Sequence, residues 1–276
     1  MAQVKRGVRA SVGAVSTTTA SVLPIFLTGG LAVQISAELG FDPAGLGLVV
    51  ALFFGVSAFA SLPCGWVVER YGSGPTSRIA VLGAAVVMAC VALFARSYGA
   101  LVTILLCSAW CNVLGQLSSN LTLARYVPAN RLGLSFGIKQ AAIPLATLLA
   151  GASVPAVALT WGWRWAYGIG AGLALAALLV APRDTAGHSP IPATPGERAT
   201  GALSVIGVAA GLAAASSSAL GIFLVASAVD RGIDAGAAGL TLTLGSVVGL
   251  VLRLLHGWAA DRRSGGHIAV VAASLV

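Results

Sequence analysis

A chain of 276 residues that is 58% hydrophobic and 9% charged, with a mean hydropathy of +0.94, cannot hide its apolar surface in a water-soluble fold, where roughly a quarter of residues are charged. Sixteen basic and eight acidic residues leave a net charge of +8, yet the basic ones are scattered through short segments and form no patch, which argues against nucleic acid as a partner. The composition is that of an all-α integral membrane protein in a lipid bilayer, whose spanning segments satisfy their own backbone hydrogen bonds.

Residues 1–11 are short and basic (Lys5, Arg6, Arg9). The apolar run that follows, from Val12 to about Ala37, is too long for a signal peptide and reads as an uncleaved first span. Seven further runs, each near the ~20 residues needed to cross a bilayer, lie at about 45–68, 77–95, 100–123, 133–157, 165–181, 202–229 and 236–259. A ninth begins at Ile268 and stops at Val276. The polar segment at about 182–201, with Pro182, Pro190, Pro192 and Pro195, reads as a linker. Cys64, Cys90, Cys107 and Cys111 all fall in apolar runs and read as small buried residues.

The basic residues set the orientation. With the N-terminus inside, the inner segments hold eleven (Lys5, Arg6, Arg9, Arg70, Arg78, Arg125, Arg131, Arg183, Arg198, Arg262, Arg263) and the outer loops three (Arg96, Arg164, Arg231). Trp161, Trp163 and Trp165 then cluster at the outer surface as an aromatic belt, and Trp66 and Trp258 take matching inner positions.

The second run closes on Gly65-Trp66-Val67-Val68-Glu69-Arg70-Tyr71-Gly72-Ser73-Gly74. The pattern returns 192 residues later (257 − 65) as Gly257-Trp258-Ala259-Ala260-Asp261-Arg262-Arg263-Ser264-Gly265-Gly266. A motif repeated at half-protein spacing implies two similar halves. An acid at such a helix end can meet the positive N-terminus of a neighbouring helix and hold a gate shut in one state. The bland alternative is that Glu69 and Arg70 are interfacial charges that fix topology.

Six spans, a linker and this loop after spans two and eight resemble the major facilitator superfamily, whose signature is Gly-x-x-x-Asp-Arg-x-Gly-Arg-Arg/Lys. Gly65, Glu69, Arg70 and Gly72 match it in the first copy, and Gly257, Asp261 and Arg262 in the second. Glu69 replaces the aspartate, and Ser73-Gly74 replace the basic pair. The resemblance implies a six-helix N-domain (1–181), a cytoplasmic linker (182–201) and a partial C-domain (202–276). The family has twelve spans, so about 8.5 are expected here and the chain reads as C-terminally truncated. It implies a secondary active transporter working by alternating access, a monomer in the inner cell membrane with its N-terminus cytoplasmic. An enzyme is not expected, because His188, His256 and His267 are dispersed and no metal-ligand spacing appears, and no cofactor or metal is expected either.

Charge inside a membrane marks function by default. The eight acids lie in or beside loops, whereas Lys139 is roughly 9 Å into span five and Arg253 roughly 6 Å above Gly257 in span eight. In the resembled fold these spans pack together beside the cavity, so the two cations would face each other without an acid. Two such cations suit an anion, and an arginine fork suits a carboxylate. Arg253-x-x-x-Gly257 is also similar to the span-eight arginine of monocarboxylate and oxalate carriers. Snorkelling to the headgroups is the bland reading of both. Asn112 and Gln116, four apart on one face of span four, and Gln140 beside Lys139 complete the expected binding set, while Thr17, Thr18 and Thr19 read as packing glue. Pro24, Pro63, Pro144 and Pro155 are expected to bend their helices. The expected cargo is a small organic anion. The alternatives are proton-coupled efflux of drug-like compounds, with Glu38 the one nameable proton carrier, and a remnant that transports nothing.

Overall fold

The computed structural model describes residues 2–128, 131–181 and 201–262. Among these every regular element is helical: α1 (Ala2–Gly30), α2 (Ala32–Leu39), α3 (Pro43–Tyr71), α4 (Ser73–Phe94), α5 (Tyr98–Tyr126), α6 (Leu132–Gln140), α7 (Ala142–Ser153), α8 (Leu159–Trp161), α9 (Trp163–Ala177), α10 (Gly201–Asp230) and α11 (Ala235–Arg262). A π turn, Val154–Ala158, joins α7 to α8. The linker expected at about 182–201, but for its last residue, and the ninth run from Ile268 lie outside the described residues.

Six described helical stretches are long and apolar enough to cross a membrane: Gly7–Gly30, Pro43–Tyr71, Ser73–Phe94, Tyr98–Tyr126, Leu132–Trp161 and Ala235–Ala259. The sixth expected run is a 15-residue helix, α9, and the seventh falls in the 30-residue α10. Helix starts follow local chemistry. Asp42 caps α3 by accepting from the Gly45 amide at 2.8 Å with Pro43 behind it, and Ser97 caps α5 by accepting from Ala100 at 3.2 Å. Gly72 alone joins α3 to α4, with φ of 81°, a conformation that side chains strongly disfavour.

The first span is two helices. It breaks at Leu31, directly after Gly29-Gly30, where neighbouring backbones press in: a Cβ on Gly29 would lie 2.7 Å from Ile222 of α10, and one on Gly30 would lie 3.0 Å from Ala150 of α7. The fifth span breaks too, at Ala141, three residues before Pro144, and Pro155 sits in the π turn. Pro24 and Pro63 lie within α1 and α3, which continue through them, whereas Pro144 and Pro155 sit at the interruptions of the fifth span.

Burial places the elements. In the most apolar stretch of α1, 83% of residues are buried, against 22% for α3, so α1 is central and α3 faces outward. The core gathers Leu23, Phe26, Leu31, Phe53, Met88, Leu105 and Tyr167 around it. Some polar groups inside pair with one another: Thr18 donates to Ser119 at 3.1 Å, and the Thr28 and Tyr167 hydroxyls lie 2.7 Å apart, whereas the Thr17 and Thr19 hydroxyls have no hydrogen-bond partner among the described residues. The cysteines depart from expectation, for only Cys64 is buried while Cys107 is exposed on the outward face of α5.

α11 runs along α6 and α7, the packing expected of spans eight and five. Glycines let the backbones meet at both ends of the contact. A Cβ on Gly137 would lie 2.8 Å from the Arg253 carbonyl, and one on Gly239 would lie 2.7 Å from the Gly151 carbonyl. Between apolar helices in lipid, such close van der Waals packing supplies the association.

Candidate functional site

The break at Ala141 shapes the site. Pro144 has no N–H to offer the Gln140 carbonyl four residues earlier, so the last carbonyl of α6 lacks its usual helical partner. Arg253 of α11 supplies one, donating from Nη1 to the Gln140 oxygen at 2.9 Å. One residue back, the buried Lys139 (4% exposed) donates from Nζ to the Gln116 side-chain oxygen on α5 and, at 3.4 Å, to that of Gln140. Four of the five expected binding residues, Lys139, Arg253, Gln116 and Gln140, thus form one connected group. Asn112 is buried one turn along α5 from Gln116, but its side-chain oxygen has no hydrogen-bond partner.

Neither cation forms an ion pair among the described residues; the ion pair recorded there is between Arg164 and Glu38. An ammonium buried without a carboxylate is costly to hold, and two amide oxygens satisfy two of its three donors. Arg253 reaches a cavity of about 250 Å³ between α1, α7, α10 and α11, lined by Phe26, Ile143, Leu220, Leu242 and their neighbours. It is the one charged residue among those lining residues, and Lys139 is not one of them. Thr147 and Ser246, whose hydroxyls lie 2.7 Å apart, add a polar strip across the α7–α11 contact, and no motif or charge in the chain singles them out.

The two copies of the repeated motif differ in their surroundings. Asp261 accepts from the backbone amides of Gly133 and Leu134 at 2.7 and 2.8 Å, so its two oxygens cap the N-terminus of α6 from the end of α11. Gly257 lies directly beneath, and a Cβ there would be 2.8 Å from the Gly133 carbonyl. Arg262 begins the stretch whose side chains lie outside the description. In the first copy Glu69 and Arg70 are exposed. Glu69 has no hydrogen bond or ion pair to another described residue, while Arg70 stands over the Trp66 ring at 5.4 Å. Gly65 has open space where a Cβ would be. Ser73 and Gly74, which stand where the signature has its basic pair, are buried in the first turn of α4.

At the opposite end Glu38 accepts from Arg164 Nη1 at 2.5 Å and from Trp163 Nε1 at 2.7 Å, and Arg164 also donates to the Ala95 carbonyl at 2.8 Å. The Arg164 hydrogen bond lowers the Glu38 pKa from its ordinary 4.5; partial burial opposes it and the Trp163 bond assists it. The pair favours the ionised form of the Glu38 carboxyl in this conformation. Trp161 and Trp165 are exposed as a belt requires, but Trp163 is buried (4% exposed) and serves this clamp instead. Among the described residues no group of three or more His, Cys, Asp or Glu is placed to hold a metal ion.

The family model described as Major Facilitator Superfamily matches residues 11–276. None of the curated proteins compared with the chain matches it.

Proposed function

The chain belongs to the Major Facilitator Superfamily of membrane transporters, and from that premise we propose that it carries a small organic anion, a carboxylate on an apolar body, by alternating access. The observation that carries this reading is the placement of Arg253 as the single charged group on the wall of an otherwise largely apolar cavity. A guanidinium without an acid partner there offers a carboxylate parallel N–H donors, and the apolar walls suit the rest of the molecule better than a second charge or a sugar. Lys139 adds positive potential, held by Gln116 and Gln140, with Asn112 a further polar group on the same face of α5.

Asp261 on the α6 N-terminus is the gating contact of this conformation: it ties α11 to α6, and rocking of the halves would break it. Gly257 permits the close approach and Arg262 follows the acid. Gly65, Glu69, Arg70 and Gly72 form the equivalent element of the first half. The excess of basic residues near Asp261 puts that end and the N-terminus on the cytoplasmic side of the inner cell membrane. We take the working unit to be a monomer with halves divided at about 182–201.

Uptake into proteoliposomes tests the reading. The wild-type chain should accumulate labelled benzoate, and Arg253→Gln should lower that uptake on the order of 10-fold or more, the loss expected for one charge-assisted contact. Lys139→Gln should have the smaller effect. Undiminished uptake by the double variant, or transport of cations in place of benzoate, would point to efflux of drug-like compounds and end the anion reading.

A further inference from the structure

Arg253 sits two helical turns, roughly 12 Å, from Asp261 and the end of α11, and its side chain is long enough to lean toward the headgroups at that end. The structure instead has its Nη1 on the main-chain oxygen of Gln140. In an unbroken helix that oxygen would be taken by the amide of residue 144, and here residue 144 is proline. The missing amide follows from that proline, and the helix break at Ala141 and the guanidinium contact meet at the same carbonyl. Pro144 also lines the cavity that Arg253 faces.

We infer that Pro144 is a positioning residue for the anion site: by leaving the Gln140 carbonyl without a helical donor, it supplies the acceptor that keeps the Arg253 guanidinium on the cavity wall. This rests on the proposed role of Arg253. A guanidinium has five N–H donors, so one held by a carbonyl leaves four to meet a carboxylate, and fixing the group beforehand removes an ordering cost from binding. The arrangement also links the ligand to α6, since whatever pulls on Arg253 pulls on the turn joining α6 to α7.

The test uses the full chain in lipid nanodiscs, without any transported ligand. Phenylglyoxal modifies guanidinium groups, and peptide mass analysis reads the rate at Arg253 and, as a control, at the exposed Arg70. Pro144→Ala restores an amide that claims the Gln140 carbonyl, so modification at Arg253 should rise on the order of tenfold, the low end of what a hydrogen bond to a charged group carries, with Arg70 unchanged. An unchanged Arg253 rate, or a rise shared by Arg70, overturns the inference. A second perturbation leaves the proline in place: the hydroxy-acid analogue of alanine at position 141 turns the Gln140 carbonyl into that of an ester, a weaker acceptor. It should raise the Arg253 rate in the same direction, and no rise again overturns the inference. In transport, Pro144→Ala should raise the KM for benzoate with kcat retained, and add nothing in an Arg253→Gln background. Benzoate separates the two layers of the argument. Failure of benzoate to protect Arg253 in the wild-type chain sinks the anion reading, while the two perturbations still judge the positioning of the arginine.

Discussion

The Asp261 contact yields the most quantitative expectation. Asp261→Asn keeps the shape and one acceptor oxygen, but removes the charge and one of the two amide bonds. Hydrogen bonds to a charged group are worth ~1.5–3 kcal/mol, and a negative charge at a helix N-terminus adds ~0.3–1 kcal/mol. The side chain is only half-buried, so water replaces part of what is lost and about 1.5–3 kcal/mol in total is the reasonable range. At about 1.36 kcal/mol per tenfold, the balance between the tied and untied states of this end should move roughly 10- to 100-fold. Ser135 reports on that balance, being 7% exposed and bonded to Ser11 Oγ at 3.2 Å on the turn that Asp261 caps. In a chain whose four cysteines are replaced by alanine, Ser135→Cys should react slowly with a maleimide, and Asp261→Asn should accelerate that reaction by the same factor. Glu69→Gln, which removes no contact of the described structure, should leave it unchanged. If the asparagine variant labels at the parent rate, Asp261 is a topological charge and the gating argument is wrong.

Gly239→Ala should lower the thermal midpoint in detergent, since its Cβ would lie 2.8 Å from that of Val154; overpacking of this kind costs ~1–3 kcal/mol. Gly55→Ala, with open space around it, should be neutral or slightly stabilising, and equal losses from both would remove the packing argument. The Glu38 clamp predicts a pH dependence. Its folded pKa is depressed, so its contribution is present above the unfolded value and is lost as pH falls through the folded one. Thermal stability should therefore drop on acidification below about pH 4.5 more steeply in the wild-type chain than in Glu38→Gln. The effect should be modest, because the Glu38 side chain is 47% exposed, and parallel pH profiles would show that the clamp adds nothing.

What the sequence determined is what depends on short-range chemistry and on the solvent. Runs of ~20 apolar residues cannot stay in water or leave backbone groups bare in lipid, so most spans were legible from length and composition. The repeated Gly65 and Gly257 motifs carried the resemblance to the family whose model matches residues 11–276, and Lys139 and Arg253 stood out because charge in an apolar run is costly. The sequence could not say that Asp261 would find the amides of Gly133 and Leu134, since main-chain donors exist at every residue and only packing decides which are left open. Trp163 read as a belt residue like its neighbours until the fold turned its indole toward Glu38. The fifth span read as one helix with a bend, whereas the structure gives a break whose freed carbonyl belongs to Gln140 and whose donor comes from Arg253, 113 positions away. The proline near the break is local, but the carbonyl's partner is tertiary. Contacts across such distances depend on how α11 lies along α6 and α7, and the register of that crossing is set by Gly137, Gly151, Gly239 and Gly257 acting together, which periodicity along any one of these helices does not encode.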